Sequence, residues 1–385
     1  MRLRLVAAKL FFLSMLLVID HVSHAKDKKL DFSEVTSVLQ KAVADGAFPG
    51  CAVAVGSNSG VVWSAGFGHF DFEHSKPATK STIYDLASLT KVVGTTAVYM
   101  RLSAQGKINL ADTAGKFVPE FIAGAANDEE KAKREKITIE QLLTHTGGIA
   151  SWKPFYRSVN SYSELLQAIH KTPLESDPGE KFRYSDPGMM LLGEIASRAT
   201  GKKLPELEHE LVFGPLKMRD TYRNPSRILL PRIPPTERWP EKTNYVHGIV
   251  HDENSRAGEG ITGHAGLFST TEDLSKLAAE LLRACDGKSK LFPRQVAENF
   301  TRKRGSLNRG LGWGIASQYE TSKVGLSKSA FGHTGFTGTS IWIDPERKLF
   351  IILLSNRVHP TRDNNKISRV RSDLTSAVVR VWEQH

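Results

Sequence analysis

The segment "GHTGFTGTSIWIDP", residues 332–345, contains a histidine and three threonines set among glycines. Its glycines allow the backbone to approach a ligand closely. The apolar runs in and around it predict three successive short strands, "SAFGHTG", "TSIWIDPE" and "KLFIILLSN", of which the last two are joined at "DPERK". The tripeptide His-Thr-Gly also occurs in "LLTHTGG", residues 142–148, so any functional role has to be assigned to one of two copies.

Strand-like segments lie at both ends of the chain, and helices lie between them. Residues 31–45 place apolar side chains at helical spacing, and residues 51–68 are typical of a β-hairpin. Further helices are predicted at about 88–105 and 366–383. We therefore predict an α+β fold in which the N- and C-terminal segments build one antiparallel sheet with flanking helices, with a mostly helical region inserted at about 110–325.

The N-terminus is typical of a secretory signal peptide. Basic residues precede an apolar run at 10–19, and "SHA" ends at Ala25 before a charged segment. The run is too short to span a bilayer, and an uncleaved amphipathic helix is the less favoured alternative. We predict that residues 1–25 are removed and that residues 26–385 form the mature domain. The protein would then be exported, periplasmic or extracellular, without stable membrane insertion.

Composition narrows the classes of partner. The formal charge of +11 favours anionic partners such as cell-wall polymer. The sequence has no clustered arginine stripe and no repeat of aromatic and basic residues, so we expect no nucleic-acid partner. Cys51 lies in an apolar strand-like run and Cys285 ends a helical segment. Export permits a disulfide, but two free thiols are expected, and neither cysteine has the spacing of a metal ligand.

Ser88 and Lys91 are the first candidates for catalysis. They lie three residues apart in "YDLASLTKVVGTT", residues 84–96, so on a helix their side chains share a face. A serine hydroxyl is a poor nucleophile unless a base takes its proton, and a partly desolvated lysine can help to remove it. The pattern alone is weak, because most Ser-x-x-Lys pairs are solvated helix turns and a second copy occurs at 23–26.

Tyr184 and His333 are the next candidates. Tyr184 precedes a Ser-Asp-Pro-Gly turn, and a tyrosine held near cations can ionise partly and act as a general base. The simpler explanation for Tyr184 is that it packs over the turn. The simpler explanation for His333 is that it is an ordinary histidine of a strand. The backbone N–H of Phe336, which follows Gly335, would pair with that of Ser88 as an oxyanion hole.

The order of these elements resembles the penicillin-recognising serine hydrolases, which are the class C β-lactamases and related DD-peptidases and esterases. The resemblance covers residues 30–384. It extends to "LLTHTGG" (142–148), "GPLKMRDT" (214–221), "GHAGLFSTTEDLSKLA" (263–278) and "RGLGWG" (309–314). The segments "PPTE" (234–237) and "VHDENSRAGEGITGHAGLF" (250–268) are most similar to a branch that contains penicillin-binding protein 4B, a D-alanyl-D-alanine carboxypeptidase.

The resemblance implies a catalytic route and needs no metal or cofactor. Ser88 attacks a carbonyl and is acylated, and Tyr184, flanked by Lys91 and His333, takes and returns the proton. The N–H groups of Ser88 and Phe336 stabilise the oxyanion, and water then releases the acyl group.

The resemblance also separates the two His-Thr-Gly copies. The strand copy lines the site in the family, so His333 is the functional histidine, with Thr334 and Gly335 as substrate-binding residues. His145 in the earlier copy is expected to fix a loop. Asp186 is the remaining substrate-binding candidate.

Two positions depart from the class C β-lactamase pattern. His333 stands where lysine is usual and titrates near pH 6.5, so we expect binding of a substrate carboxylate to weaken as pH rises past neutrality. Asp186 stands where asparagine is usual, and an ionised carboxylate can only accept hydrogen bonds. It would either accept from Lys91 and keep it charged or attract a substrate cation. Slow hydrolysis of acylamino β-lactams such as penicillin G is predicted.

A cluster at 251–253 with His264 invites a metal interpretation. Zinc sites need ligands at workable geometry, and the adjacent residues His251, Asp252 and Glu253 point in different directions in an extended chain. Solvated loop residues or hydrogen-bonded buttresses of the site are favoured, and no metal site is predicted.

The sequence thus predicts an exported serine hydrolase acting on a small-molecule or peptidoglycan-derived substrate. A D-alanyl-D-alanine carboxypeptidase or a β-lactamase-like amide hydrolase is favoured. Two alternatives stay open: a carboxylesterase using the same residues, and a penicillin-binding sensor that is acylated without turnover.

Overall fold

A computed structural model describes residues 30–239, 244–316 and 325–384. The predicted signal peptide, residues 1–25, lies outside these ranges, so its removal and the start of the mature domain at residue 26 stay predictions. Among the described residues, none of the helices combines the length and the apolar character that crossing a membrane requires.

The sheets join the two ends of the chain. In the described ranges the larger sheet has six strands in the order β2-β1-β9-β8-β7-β6, and every neighbouring pair is antiparallel. Its strands are β1 Gly50–Ser57, β2 Gly60–Gly68, β6 Gly314–Ile315, β7 Phe331–Thr334, β8 Ser340–Asp344 and β9 Leu349–Ser355. A small sheet, in the order β3-β5-β4, contains β3 Tyr84–Asp85, β4 Tyr222–Arg223 and β5 Leu267–Ser269. The predicted hairpin and the three C-terminal strands are confirmed.

Helices cover both faces of the larger sheet and dominate the middle of the chain. The α-helices of the described residues are α1 Ser33–Ala44, α2 Ala97–Ala104, α3 Ala114–Phe117, α4 Pro119–Ala123, α5 Asp128–Arg134, α6 Ile139–Leu143, α7 Tyr162–His170, α8 Asp186–Thr200, α9 Leu204–Glu208, α10 Glu253–Ala257, α11 Thr271–Cys285, α12 Arg294–Thr301 and α13 Ile367–Trp382. The helices predicted at 31–45 and 366–383 are therefore confirmed as α1 and α13.

The alternation of side chains along β9 explains why both of its faces are apolar. Phe350 and Ile352 pack on the side of α2 and α11, whereas Leu349 and Ile351 pack on the side of α1 and α13. All four side chains are buried, and burial of each stabilises the fold by roughly 1.5–3 kcal/mol. A strand buried on both faces is a continuous apolar run in sequence, and this run predicted β9.

The two cysteines lie on opposite sides of the larger sheet. Cys51 belongs to the core beside α1 and α13, and Cys285 packs against the core beside α2. Both are free thiols, as predicted. Burial raises the pKa of Cys51, and it raises that of Cys285 to about 11, so both thiols are protonated at neutral pH.

The helix predicted at 88–105 is irregular at its start. It consists of the 3-10 turn Ala87–Leu89, the π-helical stretch Lys91–Thr96 and then α2. Ala87 has a φ of 45°, in the left-handed region that a regular right-handed helix cannot contain. The chain therefore enters the helix through a tight turn. Inside the π-helical stretch, Gly94 packs so closely that an added Cβ would lie 2.3 Å from Oε1 of Glu208.

Candidate active site

Ser88 lies on a strained turn that a buried carboxylate holds in place. The left-handed backbone of Ala87 costs about 1–2 kcal/mol for a residue with a Cβ. Asp85 compensates on both sides of the turn. Its Oδ1 accepts a hydrogen bond from Ala87 N at 2.8 Å, and its Oδ2 accepts one from His251 N at 2.7 Å. Asp85, tied to the distant His251, thus fixes the direction in which Ser88 is presented.

The ammonium group of Lys91 is bound on three sides. Its Nζ lies 2.9 Å from Ser88 Oγ, 2.8 Å from Asp186 Oδ1 and 3.0 Å from the main-chain oxygen of His264. The contacts with Ser88 and His264 are hydrogen bonds, and the contact with Asp186 is an ion pair. Burial lowers the pKa of Lys91, but the Asp186 carboxylate and Tyr184 outweigh burial, and the pKa is raised. Lys91 is therefore charged at neutral pH and donates to Ser88. Of the two roles expected for Asp186, pairing with Lys91 and keeping it charged is the one observed.

Tyr184 lies between Lys91 and His333. Lys91 Nζ is 4.9 Å from the centre of the Tyr184 ring, and the centres of the Tyr184 and His333 rings are 6.0 Å apart. Burial raises the pKa of Tyr184 more than Lys91 lowers it, so the pKa is raised overall. The phenol is therefore protonated at neutral pH. The expectation that Tyr184 ionises partly is wrong, because the cost of desolvating a phenolate exceeds the attraction of the neighbouring cation.

His333 is neutral at neutral pH. Its Nδ1 donates to the main-chain oxygen of Thr334 at 2.8 Å, and its Nε2 is buried without a hydrogen-bond partner in the described part of the chain. Burial first, and then the charges of Arg309 and Lys91, lower the pKa of His333 well below its usual value. The expected titration near neutrality, and with it the predicted weakening of carboxylate binding, is therefore wrong. The imidazole instead offers Nε2 as an acceptor.

The turn after β7 is tied to the main chain that leads into Ser88. Thr337 Oγ1 donates to the carbonyl oxygen of Asp85 at 2.7 Å, and Thr339 Oγ1 donates to that of Leu86 at 3.0 Å. Sequence reasoning missed both threonines, although they lie in the glycine-rich segment. These bonds hold the segment that contains Phe336, whose N–H is the second predicted oxyanion donor, against the turn that carries Ser88.

A cavity of about 470 Å³ opens in front of Ser88. The predicted residues that line it are Ser88, Tyr184, His333, Thr334, Gly335 and Phe336. Lys91 and Asp186 lie behind them as an ion pair, in which the Lys91 side chain is buried and the Asp186 side chain is 16% exposed. The structure therefore brings every predicted site residue to one place, and it moves Asp186 from substrate binding to the support of Lys91.

Three arginines that sequence reasoning did not assign to the site also line the cavity: Arg309, Arg357 and Arg371. The Arg309 guanidinium lies 5.7 Å from the centre of the Tyr184 ring. Arg371 donates to the main-chain oxygen of Gly335 at 2.8 Å. Arg309 is the first residue of the segment "RGLGWG", which contributes to the family resemblance. The sequence therefore indicated the motif but not the position of Arg309 at the cavity. The cavity is consequently electropositive.

The earlier His-Thr-Gly copy supports the segment that carries Tyr184. His145 Nδ1 accepts from Ser185 N at 3.1 Å, and the main-chain oxygen of His145 accepts from Arg183 N at 2.8 Å. The centres of the His145 and Tyr184 rings are 4.8 Å apart. The predicted role of His145 in fixing a loop is confirmed. Burial, followed by the charge of Arg309, lowers the pKa of His145 well below its usual value.

The residues considered for a metal form hydrogen-bonded pairs. His264 Nε2 lies 2.8 Å from Asp252 Oδ1, and His251 Nε2 lies 3.0 Å from Glu237 Oε2. The Lys91 ammonium already supplies positive charge beside Asp252. These pairs lie behind the site as hydrogen-bonded supports, and the expectation of no metal stays a prediction.

The antiparallel sheet built from both chain ends, the helices on its two faces and the cavity at β7 define a β-lactamase-like fold of the α+β class. The chain belongs to the Beta-lactamase family, whose model matches residues 35–375. It is 36% identical over 322 residues to a protein of Salmonella agona named "Putative D-alanyl-D-alanine carboxypeptidase". The aligned region covers 77% of this chain and 74% of the relative.

Two solved structures show the same fold at low sequence identity. EstCE1, described as a hydrolase with promiscuous acyltransferase activity, has a TM-score of 0.73 at 22% identity and covers 90% of this chain and 97% of its own. A penicillin-binding protein homologue from Caulobacter crescentus has a TM-score of 0.72 at 20% identity, with 91% and 97% covered.

Proposed function

We propose that the protein is an exported serine hydrolase that removes C-terminal D-alanine from cell-wall peptides through an acyl-enzyme on Ser88. The observation that carries the proposal is the charged Lys91 ammonium, 2.9 Å from Ser88 Oγ, at a cavity lined by arginines. The carboxypeptidase name of relatives at 36% identity supports the substrate class. Export rests on the signal peptide predicted at residues 1–25.

Acylation begins with attack of Ser88 Oγ on the carbonyl carbon of the penultimate residue. Lys91 donates to Oγ and stabilises the negative charge that develops there. The proton of Ser88 passes to the Tyr184 oxygen, while Tyr184 releases its own proton to Nε2 of His333, the acceptor left without a partner. The N–H groups of Ser88 and Phe336 donate to the oxyanion.

The same proton then completes the cycle. It returns through Tyr184 to the nitrogen of the leaving D-alanine as the C–N bond breaks, and the remaining peptide is left as an ester on Ser88. Water attacks the ester and gives a proton to His333 by the same path. When the Ser88–acyl bond breaks, that proton returns to Oγ, so the enzyme recovers its starting protonation.

The substrate carboxylate needs a cation other than His333, because the imidazole is neutral. Arg309, Arg357 and Arg371 line the cavity, and a guanidinium binds a carboxylate through two parallel hydrogen bonds. Because arginine stays charged throughout the neutral range, binding of the C-terminal carboxylate should be nearly independent of pH between about 6 and 8.

The test compares three substrates: a peptide ending in D-Ala-D-Ala, the same peptide with a C-terminal amide, and a nitrophenyl ester. We expect D-alanine release from the free acid, much slower cleavage of the amide, and no turnover by a Ser88→Ala variant. Intact mass should show the acyl group on Ser88. Cleavage of the ester alone would replace the proposal by the carboxylesterase alternative, and stable labelling by a fluorescent penicillin without any turnover would replace it by the sensor.

A further inference from the structure

A loop packs behind Lys91, and its two ends are joined by the side chains of Asp252 and His264. The main-chain oxygen of His264 accepts a hydrogen bond from Lys91 Nζ at 3.0 Å. The His264 side chain is 1% exposed, and its Nε2 lies 2.8 Å from Asp252 Oδ1. Asp252 Oδ1 also accepts from Ser255 N at 2.7 Å as the N-cap of α10. The pairing therefore sets the position of the carbonyl that receives Lys91.

The Asp252 carboxylate also takes part in balancing the charge of Lys91. Side-chain atoms of Asp186, Asp252 and His264 lie within 4.8 Å of one another. Burial raises the pKa of Asp252, but His264, the N–H of Ser255 and the charge of Lys91, in that order, outweigh burial and hold the pKa well below its usual value. An ionised carboxylate only accepts hydrogen bonds, so His264 Nε2 is the donor. Two carboxylates thus act on one ammonium, Asp186 directly and Asp252 across His264.

We propose that Asp252 and His264 form a positioning pair that holds the Lys91 ammonium against Ser88 Oγ during acylation. The inference rests on the proposed function. When Ser88 gives up its proton, Oγ becomes negative and needs an N–H of Lys91 directed at it. If the His264 carbonyl moves, Lys91 loses one of the contacts that fix the orientation of its ammonium, and the N–H directed at Oγ is no longer held in line. Asp252 and His264 therefore act through Lys91.

The test measures the rate at which a fluorescent penicillin labels Ser88, with intact mass to count adducts. Asp252→Asn keeps the size and the helix-capping ability of the side chain but removes its charge, and we expect labelling about 10–100-fold slower. His264→Ala should be slowed to a similar degree. His264→Gln retains an N–H donor towards Asp252 and should stay within about threefold of the wild type.

A matched control breaks a buried histidine–carboxylate pair elsewhere. His170 Nε2 lies 2.7 Å from Glu194 Oε2, so Glu194→Gln should label at the wild-type rate. The inference alone is overturned if the wild type labels and Asp252→Asn labels equally fast, or if His264→Gln loses as much as His264→Ala. The histidine comparison stands even if Asp252→Asn does not fold. A wild type that never labels at Ser88 overturns the proposed function and this inference with it.

The pH profile separates positioning from helix capping. Lys91 also faces Tyr184, Asp186, His145 and His333, and these residues are unchanged in all the variants. Removing a nearby negative charge lowers the pKa of an ammonium, so the alkaline fall of the labelling rate should move down by about one pH unit in the asparagine variant. An alkaline limb that does not move would overturn the proposal.

Discussion

Asp186→Asn should destabilise the protein far more than the same substitution of an exposed aspartate. Asp186 is the carboxylate partner of Lys91, whose side chain is fully buried, at 2.8 Å. Removing one partner of a buried ion pair typically costs about 3–5 kcal/mol, because a charge is left without compensation. Lys91 keeps its contacts with Ser88 and His264, so we expect a loss near the lower end, about 3 kcal/mol at pH 7.

The loss has a ceiling that depends on pH. The variant can also fold with a neutral lysine, and removing the proton from a lysine of pKa about 10.4 costs about 4.6 kcal/mol at pH 7 and about 1.9 kcal/mol at pH 9. In the wild type the pKa of Lys91 is raised. The ion pair therefore stabilises the folded protein fully at every pH below the pKa of the unfolded lysine, and this stabilisation is lost only as pH rises through the folded pKa. In the variant the folded pKa is below the unfolded value, so the penalty is full at low pH and shrinks as pH rises.

The assay is equilibrium unfolding in urea at pH 7 and pH 9, followed by tryptophan fluorescence and circular dichroism. The buried Trp313 and Trp342 give the fluorescence signal. Asp45→Asn is the matched control, because it removes the carboxylate from an exposed pair with Lys41 at 2.9 Å and should change little. The reasoning is refuted if Asp186→Asn costs no more than the control, or if its cost is as large at pH 9 as at pH 7.

Two further predictions concern the groups around the cavity. The pKa of His333 is depressed in the folded state, so the contribution of His333 to stability is present above about pH 6.5 and is lost on acidification. Between pH 7.5 and 5.5, a His333→Asn variant should therefore lose about 1.4 kcal/mol less unfolding free energy than the wild type. Equal losses would contradict this. Gly335→Ala should slow labelling of Ser88 at least about 100-fold, because the added Cβ would lie 2.5 Å from the main-chain oxygen of Leu86. Gly201→Ala, where a Cβ meets nothing within 4 Å but the φ of 71° strains an alanine, should lower stability and still label normally, and an active Gly335→Ala would exclude the close-approach argument.

The elements at the two chain ends could be predicted because their signals are local. The apolar run of β9 and the helical spacing of α1 are each contained within one segment. The irregular entry into the predicted helix at 88 could not be predicted, since it depends on Asp85 bridging Ala87 and a residue 166 positions away, His251. Such a contact leaves no periodic trace in the sequence.

The identity of the site residues could be predicted, but their protonation could not. The joint order of Ser88, Tyr184 and His333 is a pattern in one dimension. The pKa values of Tyr184 and His333 depend on burial and on charges brought from distant segments, Lys91 for Tyr184 and Arg309 for His333. The same limit explains why Asp186 was left with two possible roles until its distance to Lys91 was known.

One physical cause accounts for the division of tasks among the buried groups. Desolvation disfavours the charged form of any group, so it raises the pKa of Tyr184 and lowers that of His333. Both groups are left neutral. In this state the phenol can donate its proton and the imidazole can accept one, without a prior change in the protonation of either group. Lys91 undergoes the same desolvation and stays charged because Asp186 and Tyr184 outweigh it. The Asp186 carboxylate is therefore what distinguishes the cation that stabilises Ser88 Oγ from the neutral groups that move its proton.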